Sequence, residues 1–116
     1  MIVSTRRFIV MMFLFTAFAA STCLAGETEF TFKSSFDGTE QKAVAYIPDT
    51  VKKTEPRPLL VVAHFMGGNR FTAKNGGYYP ECDSRGWVLV CPELHGHRSP
   101  GQISCASLEA QHDIMD

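Results

Sequence analysis

Leu59-Leu60-Val61-Val62-Ala63 is an unbroken apolar run that gives way at once to His64-Phe65-Met66-Gly67-Gly68-Asn69. Pro56 and Pro58, just before it, can neither sit inside a helix nor donate to a ladder, so a strand starts after them. A run without polar alternation is the pattern of a strand covered on both faces by helices, as in a parallel sheet. The glycines and Asn69 that follow predict a sharp turn at its C-terminal end. Trp87-Val88-Leu89-Val90-Cys91 repeats the buried pattern, and Pro92 closes it. Between the runs, Tyr79 to Gly86 has Pro80 near its start, Gly86 at its end, Glu81 in the first turn and Arg85 in the last. That arrangement predicts a short helix whose dipole is complemented at both ends. Strand, helix and strand in this order imply a parallel pair joined by a right-handed crossover.

Outward from this unit the pattern changes. Glu29-Phe30-Thr31-Phe32-Lys33 alternates apolar and polar residues, Phe36-Asp37-Gly38-Thr39 supplies a turn, and Ala43-Val44-Ala45-Tyr46-Ile47 returns as a second strand ended by Pro48. These two runs predict an antiparallel pair. Thr50 to Pro58 is a polar connector. Leu108 to Met115 predicts a helix with Ser104 or Ser107 as its N-cap. Gly67-Gly68-Asn69 and Gly76-Gly77 read as turns, because neither Gly-x-Gly-x-x-Gly nor a terminal Gly-Lys-Ser/Thr accompanies them. Tyr78 and Tyr79, beside Trp87, suit either a helix face packed on the sheet or the lining of a substrate cleft. The fold class expected is α/β: an antiparallel opening pair, then parallel strands with crossover helices.

The chain has 116 residues, 45% of them hydrophobic, with 11 Lys+Arg against 12 Asp+Glu. This suits one ordinary globular domain and excludes a disordered or fibrous class. A formal net charge of -1 offers no basic field for nucleic acid, which leaves small molecules or neutral polymers as partners. Residues 1–25 stand apart. Arg6 and Arg7 precede the apolar run from Phe8 to Ala20, which falls short of the roughly 20 residues of a membrane-spanning helix, and Cys23-Leu24-Ala25 ends it. A signal peptide cleaved after Ala25 is expected, with export to the periplasm or beyond and a mature domain at 26–116. An uncleaved N-terminal anchor and a lipid on Cys23 are the alternatives, although Ala20-Ser21-Thr22 is a poor match to the lipobox of bacterial lipoproteins. Cys82, Cys91 and Cys105 remain after cleavage, in a compartment where disulfides persist. They form at most one internal bridge, or serve as partly buried apolar residues.

The order of these elements resembles the α/β-hydrolase superfamily, closest to prolyl oligopeptidase catalytic domains and dienelactone hydrolase-like esterases. The resemblance runs from Phe30 to Asp116 and rests on two segments. The strand Leu59–Ala63 runs into His64-Phe65-Met66-Gly67-Gly68, where that family has a His-Gly pair followed by a backbone N–H that stabilises the oxyanion. By position that donor is Met66, with Phe65 in place of the usual glycine. Pro92-Glu93-Leu94-His95-Gly96-His97-Arg98-Ser99 resembles the family's Pro-Asp-x-Arg-Gly-x-Gly-x-Ser loop, with Glu93, His95 and His97 as the departures. His64 falls where the family braces the loop by hydrogen bonds.

The resemblance implies an exported serine hydrolase that cleaves an ester or peptide bond of a small-molecule or peptide substrate through an acyl-enzyme. Its nucleophile belongs on a Gly-x-Ser-x-Gly elbow, followed by an acid and a histidine. The sequence holds no Gly-x-Ser-x-Gly, so residues 26–116 are expected to be the N-terminal part of such a domain, stopping before the elbow and inactive alone. A small exported binding module with a partial hydrolase-like fold is the alternative from another class. His95 and His97, with His64, His112, Cys91 and Glu93, carry atoms that zinc favours. No Cys-x-x-Cys or His-Glu-x-x-His accompanies them, so no metal and no cofactor are expected.

Overall fold

A computed structural model describes residues 25–52, 54–96 and 106–116. The expected signal peptide apart from Ala25, and with it Cys23, as well as His97, Ser104 and Cys105, lie outside the described residues.

Strand β1 (Gly26–Lys33) turns back into β2 (Glu40–Ile47), and the two pair antiparallel from Gly26↔Ile47 to Lys33↔Glu40. The turn is closed by Gly38 N–H donating to the Ser34 carbonyl at 2.8 Å and by Asp37, whose Oδ1 accepts from both the amide and the hydroxyl of Thr39. Strand β3 is Leu59–Val61 and β4 is Val88–Pro92. They pair parallel, Leu59↔Val88 to Val61↔Val90, and Val62 N–H extends the ladder to the Val90 carbonyl at 2.9 Å. β4 also pairs antiparallel with β2 through Ala43↔Pro92 to Tyr46↔Leu89, which gives one sheet in the order β1-β2-β4-β3.

Side chains alternate across a sheet, so this register assigns them to faces. Val44, Tyr46, Leu60, Val62, Leu89 and Cys91 share one face. It is covered by α1 (Thr72–Asn75) and α2 (Tyr78–Arg85), and Val62, Ala73, Cys82, Leu89 and Cys91 make the buried core. Tyr46 and Tyr79 stack with ring centroids 3.9 Å apart. The Tyr46 hydroxyl donates to Asp83 and that of Tyr79 to Glu27, each pinning α2 to the strand pair. The bond to Asp83, helped by burial, pushes the Tyr46 pKa up to about 12. Cys82 and Cys91 are buried free thiols, and burial raises the pKa of both, which fits the apolar-cysteine reading. Over the opposite face lies α3 (Leu108–Met115), where Asp113, Ile114 and Met115 border an apolar groove shared with Phe30, Phe32 and Val90.

The expected elements are present, with shifted boundaries and one correction. Coverage of β3 on both faces does not hold among the described residues. Val62 is buried and Leu60 half-buried beneath the helices, whereas Leu59 and Val61 on the other face are 58% and 40% exposed. The continuous apolar pattern signals two faces that repel water, but α3 reaches only part of the second one. The short α1 was not expected, since its four residues are too few to show a helical period.

Candidate functional site

The candidate site lies where β3 ends. Phe65 to Gly68 form a turn closed by Gly68 N–H donating to the Phe65 carbonyl at 2.8 Å. Gly67 has φ of 80°, while Met66 is not among the residues of positive φ, which is the geometry of a type II turn with glycine at its third position. Gly68 is needed for space instead: a Cβ there would stand 2.9 Å from both the Phe65 carbonyl oxygen and Thr72 Oγ1. Phe65, which replaces the glycine usual in the resembled family, does not adopt positive φ, so its side chain causes no strain. It points outward, 70% exposed.

His64 is buried and holds this turn from both ring nitrogens. Leu94 N–H donates to its Nε2 at 2.9 Å, so the proton sits on Nδ1, which donates to the Phe65 carbonyl at 2.8 Å. The imidazole thus ties the loop after β3 to the loop after β4, which is the bracing role expected of it. The Phe65 carbonyl accepts from both His64 and Gly68. The other end of the same peptide unit, Met66 N–H, makes no hydrogen bond among the described residues. In a trans peptide N–H and C=O point in opposite directions, so anchoring the carbonyl aims the amide.

The second segment carries a clasp that the sequence did not disclose. His95 donates its backbone N–H to Asp113 Oδ2 at 2.6 Å, and its Nδ1 lies 2.7 Å from the same oxygen. Asp113 has a fully buried side chain on α3. Around Nε2 stand Thr39 Oγ1 at 3.1 Å, Gln41 Nε2 at 3.2 Å and Asp37 Oδ2 at 3.3 Å, all from the β1–β2 hairpin. Burial by itself lowers the pKa of His95, but the hydrogen bond and charge of Asp113, joined by Asp37, outweigh it and hold the imidazole above its ordinary value. Thr39, His95 and Asp113 have the connectivity of a hydrolase triad. The Thr39 hydroxyl, however, donates to Asp37 Oδ1 at 2.7 Å, so its proton is not offered to His95 and the cluster fastens α3 to the sheet. Nearby, Arg70 bridges Glu93 and Glu29, joining the β3–α1 loop to the loop after β4 and to β1.

The other side chains weighed as zinc donors, His97 aside, are dispersed. His112 Nδ1 pairs with Ser35 Oγ at 2.7 Å and its ring lies against Phe36, Cys91 is in the core, and Glu93 is held by Arg70. Among the described residues no His, Cys, Asp and Glu side chains gather as a metal site. The tyrosines divide: Tyr79 packs on the sheet, while Tyr78 lines a cleft beside the Phe65–Gly68 turn.

Neither a family model nor a curated protein matches the sequence. Solved structures do match. An S-formylglutathione hydrolase from Agrobacterium tumefaciens superposes with a TM-score of 0.53 at 21% identity, over 60% of this chain and 25% of that one. An S-formylglutathione hydrolase from Staphylococcus aureus gives a TM-score of 0.55 at 12% identity, over 78% of this chain and 37% of that one. This is the front of an α/β-hydrolase fold. Within the hydrolase fold the antiparallel pair opens the sheet, β3 and β4 begin its parallel part, and the Phe65–Gly68 turn sits at the C-terminal end of a parallel strand, where open α/β sheets bind ligands. The described chain spans well under half the length of either structural neighbour.

Proposed function

We propose that this chain is the front of an exported serine hydrolase that cleaves an ester or peptide bond of a small-molecule or peptide substrate through an acyl-enzyme, with the Met66 N–H as one oxyanion donor. The observation that supports the reading is the Phe65–Met66 peptide, whose carbonyl is held by two donors while its amide makes no hydrogen bond among the described residues. A fixed amide of this kind stabilises an oxyanion without reorganising at the moment of reaction. Nucleophile, acid and base belong to the remainder of a hydrolase unit of the neighbours' length. Residues 26–116 alone are expected to hydrolyse nothing. Export rests on Arg6, Arg7 and the apolar run that follows them.

Met66→Pro in the full-length hydrolase is the decisive test. Proline is favoured at the second position of a type II turn, so the substitution deletes the N–H and little else. The kcat is expected to fall by about 10²–10³, the usual cost of one oxyanion donor, with KM and the melting temperature little changed. Met66→Ala keeps the amide and should retain activity. A folded Met66→Pro enzyme with wild-type kcat would remove Met66 from the mechanism. A full-length protein that no fluorophosphonate labels would instead favour the binding module.

A further inference from the structure

Beside the Phe65–Gly68 turn lies an open cleft of about 500 Å³, lined by the rings of Phe65 and Tyr78 and by Asn69, Thr72 and Asn75. No charged side chain lines it among the described residues. Its shape depends on an absent side chain. Gly76 has φ of -82°, which any residue adopts, yet a Cβ there would stand 2.8 Å from Tyr78 Cε2, so this glycine is what lets the ring lie against the backbone. Among the described residues the Tyr78 hydroxyl and the Asn75 carboxamide make no hydrogen bond, which leaves donors and acceptors of both kinds facing solvent beside two aromatic rings.

A charged ligand group would find no countercharge here and would lose hydration without compensation. A wholly apolar one would leave the amide and hydroxyl groups unpaired. A ring that carries hydroxyls satisfies both demands, because its C–H faces lie on aromatic side chains while its hydroxyls pair with Asn75 and Tyr78. We infer that this cleft is the subsite for a neutral, polyhydroxylated ring, the chemistry of a single sugar unit, borne by the substrate next to the bond that is cleaved. The inference rests on the hydrolase reading above. The turn that carries Met66 also contributes Phe65, Gly67 and Gly68 to the cleft, so a ring seated there lies next to that turn.

The test has a binding arm and a kinetic arm, both on the full-length protein. In saturation-transfer NMR, methyl glucoside should bind, and binding should weaken by about two- to tenfold in Asn75→Ala and in Tyr78→Leu, the effect of one lost neutral hydrogen bond. Glucuronate, its anionic counterpart, should bind correspondingly less well. Both substitutions fall on exposed positions, and circular dichroism checks that the fold is retained. In the kinetic arm, the two variants should lower kcat/KM for an acetylated methyl glucoside about two- to tenfold more than for p-nitrophenyl acetate. Absence of glucoside binding, equal binding of glucuronate, or equal losses on both esters overturns the assignment. A protein that binds methyl glucoside through these residues yet hydrolyses neither ester keeps the sugar site and sinks the hydrolase reading.

Discussion

The Phe65 carbonyl closes the Gly68 turn and accepts the His64 proton, while the other nitrogen of that ring holds the Leu94 amide. A single buried imidazole therefore sets the separation of the two loops that follow the parallel strands. His95 does similar work by charge, and its contribution depends on pH. Its folded pKa stands above the ordinary histidine value, so the stability it supplies is fully present below about pH 6.5 and is lost as pH rises through the raised folded value. Asp37 shows the opposite sign. Hydrogen bonds from Thr39, then the nearby His95, hold its pKa below the usual value, so its contribution is present above the carboxylate range and is lost as pH falls. Urea midpoints of the full-length protein should accordingly decline as pH rises above about 6.5 in the wild type, and His95→Gln should flatten that decline. An unchanged slope would show that the clasp does not titrate as described. The Met66 turn is legible in the sequence because its signals are adjacent residues. The His95–Asp113 clasp is not, because its partners lie 18 residues apart, and the β1–β2 hairpin that completes it is further still. Histidine and aspartate at such spacing have no shared period, and only the strand order brings them together.

At the scale of the element, local chemistry decided most of what could be read. Proline before β3 and at the end of β4, glycine after α2 and the hairpin turn between β1 and β2 each act on their own neighbourhood, so β3, β4 and α2 were expected close to their observed limits, whereas β1 and β2 begin earlier than expected, at Gly26 and Glu40. Trp87 and Ala63 are the overestimates, since apolar character continues one or two residues past the ladder. For α3 the sequence offered Ser104 or Ser107 as the cap, and the structure selects Ser107, whose Oγ accepts from Ala110 N–H at 3.2 Å. Only Ala110 and Asp113 of this helix are buried, so its docking rests on a small apolar contact and the Asp113 clasp rather than on a broad greasy face. Its end therefore matters more than in a well-packed helix. Ser107→Ala should cost about 1 kcal/mol, the usual worth of a serine cap, and Ser107→Asp should cost little because a carboxylate also suits the helix dipole. Chemical denaturation of the paired variants measures both, and equal stability of all three proteins would mean that the clasp alone fixes α3.

For the molecule as a whole, the uneven covering of the sheet is the governing feature. One face carries α1, α2 and the core, whereas the other shows Leu59, Val61 and part of Phe30 beside α3, with these side chains 58%, 40% and 40% exposed. Among the described residues β3 pairs only with β4, so its other side presents backbone donors and acceptors next to that apolar surface. An unpaired edge flanked by exposed aliphatic side chains is a template for pairing with another chain. Expressed by itself, the segment Gly26–Asp116 should therefore self-associate, with β3 as the joining strand. Charge on an edge strand is the usual protection, and Leu59 and Val61 lie on the open face, so Leu59→Lys with Val61→Glu should raise the monomer fraction without disturbing Leu60 and Val62 beneath the helices. Light scattering after size exclusion, run over a range of concentrations, distinguishes the outcomes. Oligomers in the unaltered segment that dissolve in the double variant would place the association at β3. If the unaltered segment elutes as a monodisperse monomer and melts in one sharp cooperative step, the open strand is not a liability, and the four-stranded sheet with its three helices is stable as it stands.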